Sequence, residues 1–125
     1  MEIVALQNLR SGMRIGELWL ADRFMDRLRG LIGRPVLKAG EGLWLKPCRQ
    51  VHMFGMRYPL SIWFLDSEGR ILRLIDCLKP GEVSPLCREA VSILEFPAQW
   101  GKTTGTEVGD RLSEVNIDLT FNSRN

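Results

Sequence analysis

The stretch SIWFLDSEGRILRLI, residues 61–75, decides the fold. Two apolar runs flank DSEG, residues 66–69, a four-residue connection that opens on an aspartate and ends in glycine. An Asp there can bond the backbone two residues on, and a Gly can take the left-handed turn position. The pattern predicts an antiparallel hairpin. With Leu60 included, the first run is apolar on both sides: Leu60, Ile62 and Phe64 on one, Trp63 and Leu65 with Ser61 on the other. A strand with no solvent face lies between two layers, or in a barrel whose outside is covered. The sheet is therefore expected to curl, with a helix packed over part of it.

Outward from the hairpin, glycines and prolines punctuate short apolar runs and never gather into a linker, which suits many short strands joined by turns. Further strands are expected over 16–20, 43–45, 50–53, 70–76, 91–96 and 112–119. One main helix is expected over about 22–34. Asp22 is its candidate N-cap, Phe24, Met25, Leu28, Leu31 and Ile32 recur at helical spacing, and Gly33 and Pro35 stop it. Arg23, Arg27 and Arg34 flank its apolar stripe, as a solvated edge covering the seam or as an anion- or nucleic-acid-binding edge diluted by Asp22 and Asp26. Residues 98–104 read as a short helical or irregular turn. VGD, 108–110, then turns the chain into a last strand, with Asp110 a structural turn residue. The tail 121–125 is expected to fray. The fold class is a strand-rich α+β domain, a curled antiparallel or mixed sheet or small barrel with one main helix, spanning 1–125 as a single domain.

Composition narrows the partners. Lys and Arg number 17 against 15 Asp and Glu, which does not provide the one-sided basic surface of a polyanion binder, so no nucleic acid is expected. No run approaches the roughly 20 apolar residues of a membrane span. The N-terminus has an acidic Glu2 and no unbroken apolar core, so it does not read as a signal peptide, and a cytoplasmic monomer is expected. Cys48, Cys77 and Cys87 are odd in number and read as thiols of a reducing compartment.

PCRQVHMFGMRYPL, residues 47–60, holds the only histidine, His52. As a nucleophile–base pair, Cys48 and His52 fail on geometry. Pro47, Val51, Gly55 and Pro59 argue for extended chain, and four extended residues span about 13 Å. Cys48, His52, Cys77 and Cys87 have no close ligand pair of the zinc-knuckle kind, so no metal is expected. Asp66 and Glu68 belong to the hairpin turn. Glu95, on a strand side with Val91 and Ile93, needs a partner such as an arginine or backbone N–H groups. Walker, dinucleotide, nucleophile-elbow and H-E-x-x-H motifs are all missing from the sequence. Cys48, Gln50 and His52 share one side of their extended run, Val51 and Met53 the other. Gln50 and His52, with Arg57 beyond the glycine turn and Trp44 in a loop-rich context, would suit an anionic or hydroxylated small ligand.

ADRFMDRLRGLIGRPVL, GLWLKPCRQVHMFGMRYPLSIWFLDSEGRIL and AVSILEFPAQWGKTTGTEVGDRL together resemble one prokaryotic family, the domain of unknown function numbered 192. The resemblance runs from about residue 18 to 115 and matches the family's VHxFGMRxP branch. It implies a compact α+β domain, a curled sheet or small barrel with one packed helix. The family offers no established activity and no catalytic residue to carry over. Many members have an export signal or lipid anchor, which is not read here. Many have an acidic residue where this chain has Ser61, and another version has Trp-Met-Lys-Asn where it reads HMFGM.

The function expected is a small non-enzymatic module with a groove near residues 50–58. Gln50, His52, Arg57 and Trp44 would bind a small polar ligand or a protein partner, with no cofactor. The alternatives are a small enzyme on a polar metabolite or carbohydrate with His52 as acid or base, and an accessory protein of an envelope or secretion assembly.

Overall fold

The computed structural model of the protein describes residues 2–21 and 36–116. The helix expected over 22–34, with Arg23, Arg27 and Arg34, lies outside the described residues, as do positions 117–119 and the tail. Among the described residues the chain is strand-rich α+β. Strands β1 (Glu2–Asn8), β2 (Arg14–Ala21), β3 (Glu41–Leu45), β4 (Leu60–Leu65), β5 (Ile71–Leu78), β6 (Ser92–Pro97) and β7 (Leu112–Val115) form one sheet. Its order is β5-β4-β6-β3-β2-β1-β7. A short helix, α1 (Trp100–Thr104), follows β6. Neighbouring strands are antiparallel except β2 and β3.

All six residues of β4 are buried, as its two apolar sides require. Leu60, Ile62 and Phe64 join one core with Leu43, Leu45 and Ile93. Trp63 and Leu65 join another with Leu6, Leu18, Leu94 and Leu112. The second core draws on every strand, which marks it as the enclosed side of a curled sheet. The first is the convex side, covered by Val51, Met53 and Ala90 from connecting segments.

The hairpin forms as read. Asp66 Oδ1 accepts from the Glu68 and Arg70 backbone N–H groups at 2.8 and 3.0 Å. Gly69 sits at φ 80°, and a Cβ there would come within 2.5 Å of the Leu112 carbonyl oxygen. That close approach curls the sheet nearly shut. Leu112 N–H donates to Gly69, Ile71 N–H to Asp110 and Gly109 N–H to Ile71, all at 2.8 Å, so the start of β5 meets the chain entering β7. Asp110 holds the seam: it accepts from Arg10 Nε, Asn8 Nδ2 and the Glu107 N–H at 2.6, 2.9 and 2.9 Å. The result is a half-barrel.

Two segments differ from expectation. Residues 2–8 form β1, although their polar punctuation on the C-terminal side alone hints at a strand. The NLRSG turn, where Asn8 Oδ1 accepts from the Arg10 N–H at 2.9 Å and Gly12 takes φ 74°, is the signal that locates it. Residues 50–53 are extended but stay outside the sheet. His52 forms an isolated bridge with Val83, flanked by Met53 N–H to Glu82 at 2.7 Å and Ser84 N–H to Val51 at 2.8 Å.

One end of the enclosed core is stopped by α1. Asp76 on β5 accepts from the Gly101 and Lys102 N–H groups, both at 2.9 Å, and from Ser61 Oγ at 2.6 Å. Ser61 in turn accepts from the buried Trp63 Nε1 at 2.7 Å. Trp100 is thereby set against Phe96, with ring centres 6.3 Å apart, and its Nε1 donates to Ile15 at 3.1 Å.

Candidate functional site

At the end of the half-barrel away from Trp100 lies a cavity of about 350 Å3. Its apolar floor is Leu6, Trp44, Leu65 and Leu112 from the enclosed core. The hairpin turn 66–69 and residues 112–114 of β7 form one wall, and Lys46, Val91 and Ser92 form the other. The walls exist because barrel closure brings the hairpin turn against β7 and across from the C-terminal end of β3.

Trp44 is the distinctive group. It is 8% exposed, and its Nε1 is buried with no hydrogen-bond partner among the described residues. A buried indole N–H without an acceptor is costly, because it has lost water and gained nothing. Lys46 Nζ lies 4.4 Å from the centre of its ring, a cation–π arrangement that fixes the ring's orientation. The polar groups around the rim are the carboxylates of Asp66, Glu68 and Glu114 and the hydroxyls of Ser67, Ser92 and Ser113.

A broader hollow of about 480 Å3 lies at the opposite end, beside Trp100, between Gly16 and Gly40. Its polar groups are already engaged. Arg14 pairs with Glu17 at 3.0 Å, Glu41 accepts from the Lys38 N–H at 2.7 Å, and the Trp100 indole is bonded to Ile15.

The four residues read as a ligand set are not gathered in one cavity. Trp44 lines the barrel mouth; Gln50, His52 and Arg57 do not, and are exposed on the strap over the convex core. Gln50 Nε2 donates to the Ser84 carbonyl at 2.9 Å. The His52 ring lies 5.0 Å from the Phe54 ring. The alternation of the strap is as expected, with Val51 and Met53 buried between the exposed Gln50, His52 and Phe54. Cys48 Sγ points to the Gln50 carbonyl at 3.2 Å. Among the described residues no three His, Cys, Asp or Glu side chains are grouped to hold a metal ion.

Sequence reasoning named Trp44 and missed the rest of the mouth. Asp66 and Glu68 carry a local signal for a turn and none for the surface that turn will face. Lys46 and Glu114 are brought near by the β1–β7 pairing and the closure at Gly69, both remote in sequence.

Glu95 lies on the convex side, opposite Leu43 and Ile62 in register, and is 6% exposed. Among the described residues it has neither the ion pair nor the backbone donors expected of it. Burial pushes its carboxyl up to about 7. Burial raises the Tyr58 hydroxyl above its ordinary value, opposed by the Leu37 backbone and aided by the nearby Glu95.

Fold and site together define a half-barrel α+β domain with a tryptophan-floored cavity at its open end. The chain belongs to the DUF192 family, described as Uncharacterized ACR, whose model matches residues 6–114. Two solved structures are similar. A candidate transcription regulator from Sinorhizobium meliloti 1021 is 26% identical with a TM-score of 0.78, covering 90% of this chain and 92% of its own. A protein of unknown function from Novosphingobium aromaticivorans DSM 12444 shares the fold at 22% identity and TM-score 0.75, covering 89% of this chain and 83% of its own. Comparison with curated proteins gave no match. Among the described residues no helix is long and apolar enough to cross a membrane.

Proposed function

We propose that the protein is a small non-enzymatic ligand-binding module whose site is the mouth of the half-barrel. The observation that carries this reading is a 350 Å3 cavity at the barrel mouth whose apolar floor includes Trp44. An apolar floor ringed by polar side chains that can fix a ligand's orientation is the usual make-up of a small-molecule site. The acid with the displaced proton affinity, Glu95, faces the other side of the sheet, which favours holding over acid–base chemistry in this cavity. A ligand-observed NMR screen of polar metabolites tests the reading. It expects binders whose signals weaken with Trp44→Phe, a variant that keeps one aromatic ring and removes the five-membered ring of the indole with its N–H. Binders indifferent to that substitution would sink it.

A second reading concerns the strap. Phe54, Val83 and Leu86 are 55, 50 and 52% exposed beside His52, with Gln50 and Arg57 at their edge. Such a patch suits a protein partner, as an accessory role in an assembly would require. Capture of one stoichiometric partner, lost with Phe54→Ser, is the expected result.

A further inference from the structure

We infer that the strap docks an extended, acidic segment of a partner protein, added as a strand beside Val83. This rests on the second reading above, that the strap binds a protein, and goes on to say what kind of segment it takes. Residues 51–53 and 82–84 form a short antiparallel ribbon over the convex core. Its hydrogen bonds run from Met53 N–H to Glu82 and from Ser84 N–H to Val51, on either side of the His52–Val83 pair. In that pattern the two paired residues turn their own N–H and C=O away from each other, toward the edges of the ribbon. Among the described residues neither backbone group of Val83 has a hydrogen-bond partner, and Val83 is 50% exposed. The Leu86 N–H is also unpaired there. An exposed edge with unpaired N–H and C=O groups is a template for another chain.

The side chains give that chain something to rest on. Val51, Met53 and Ser84 are buried, while His52, Phe54 and Val83 are exposed on the outer face. Phe54, Val83 and Leu86 supply the apolar part of that face. Charge selects the occupant. Arg49, Arg57, Lys79 and Arg88 are exposed on the two segments that make the strap, against Glu82 and Glu89. Glu82 Oε1 is already held by the Lys79 backbone N–H at 2.6 Å. Among the described residues the guanidiniums of Arg57 and Arg88 have no hydrogen bond and no ion pair. A second copy of this chain would bring the same cations together across a two-fold axis. A segment with carboxylates flanking apolar residues at alternate positions is complementary instead.

The test selects a displayed library of random peptides, each about a dozen residues and so long enough for a strand, against the full chain. The enriched peptides are expected to carry Asp or Glu around alternating apolar residues. Binding of the best peptide, read by fluorescence anisotropy, is expected to weaken about tenfold with Arg57→Glu combined with Arg88→Glu, a change of 1.4 kcal/mol. It is expected to be lost with Phe54→Ser. All three positions are exposed, and an unchanged unfolding midpoint checks that each variant keeps the fold. Methylating the peptide's amides one at a time reads the strand pairing: binding is expected to collapse at the position that pairs with Val83 and to survive at its neighbours. A series indifferent to methylation overturns the strand addition, and enriched peptides without acidic residues overturn the charge requirement. A dimer of the protein that Phe54→Ser dissociates gives the edge to a second copy and overturns the inference. No enrichment also overturns it, and capture of a partner lost with Phe54→Ser then decides separately whether the strap docks a protein.

Discussion

Arg10 and Asp110 meet across the closure of the half-barrel, Nε to Oδ1 at 2.6 Å and a second guanidinium N–H to Oδ2 at 2.9 Å. Arg10 is half-exposed while Asp110 is 6% exposed, so the two ends of the pair differ in worth. Asp110→Ala leaves Asn8 and the Glu107 N–H without their acceptor and is expected to cost about 2 kcal/mol in urea unfolding. Arg10→Ala loses mainly a solvated contact and is expected to cost less than Asp110→Ala. Its hydrogen bond to Arg10, more than any other contact, holds the Asp110 carboxyl well below its ordinary 3.8. The stability this provides is present above that value and is lost as pH falls below it.

Glu95 acts with the opposite sign. Its folded-state value is raised from 4.5 to about 7 by burial, so the folded protein holds that proton more tightly than the unfolded chain. The contribution is full below 4.5 and lost as pH rises through about 7. Glu95→Gln is expected to flatten stability between pH 5 and 8 and to stabilise the protein at pH 8 by up to roughly 3 kcal/mol. Denaturation midpoints at both pH values check this; a wild type that gains stability from pH 5 to 8 through Glu95 would contradict it.

Ser61 links two parts of the fold that differ in burial. Ser61→Ala strands the N–H of Trp63, which is fully buried, and removes a donor from Asp76; a loss of about 2 kcal/mol is expected. Asp76→Ala frees the Gly101 and Lys102 N–H groups at the start of α1 and is expected to cost about 1 kcal/mol. Because both act through one network, the double variant should cost less than the sum, measurable as a double-mutant cycle.

Gly69 is where the sheet shuts. Gly69→Ala combines a left-handed backbone with a methyl group against the Leu112 carbonyl, and is expected to cost more than about 1 kcal/mol. Loss of hydrogen-exchange protection at the Leu112 amide would show that the closure itself has opened.

Much of the fold was legible because it is local. β4 declares itself by its two apolar sides, and the hairpin by an Asp and a Gly at fixed offsets. The burial of Val51 and Met53 follows from simple alternation. β1 has no turn signal before its first residues, and only the NLRSG turn after them bounds it. The pairing of β2 with β3 and the closure at Gly69 depend on contacts between distant segments. The site inherits that limit. Trp44 could be named as an aromatic near a cleft, but a single sequence gives no sign that it faces the side of the sheet opposite to His52, nor that turn carboxylates will ring it. Glu95 was expected to have a partner, on the sound ground that buried charge is costly. The structure meets that cost by raising its proton affinity.

The most direct measurement is a crystal structure of the protein with the tightest binder from the metabolite screen. The account predicts that molecule at the mouth of the half-barrel, seated on Trp44 and Leu65. A ligand seated over His52 and Arg57, with the mouth holding only solvent, would contradict it.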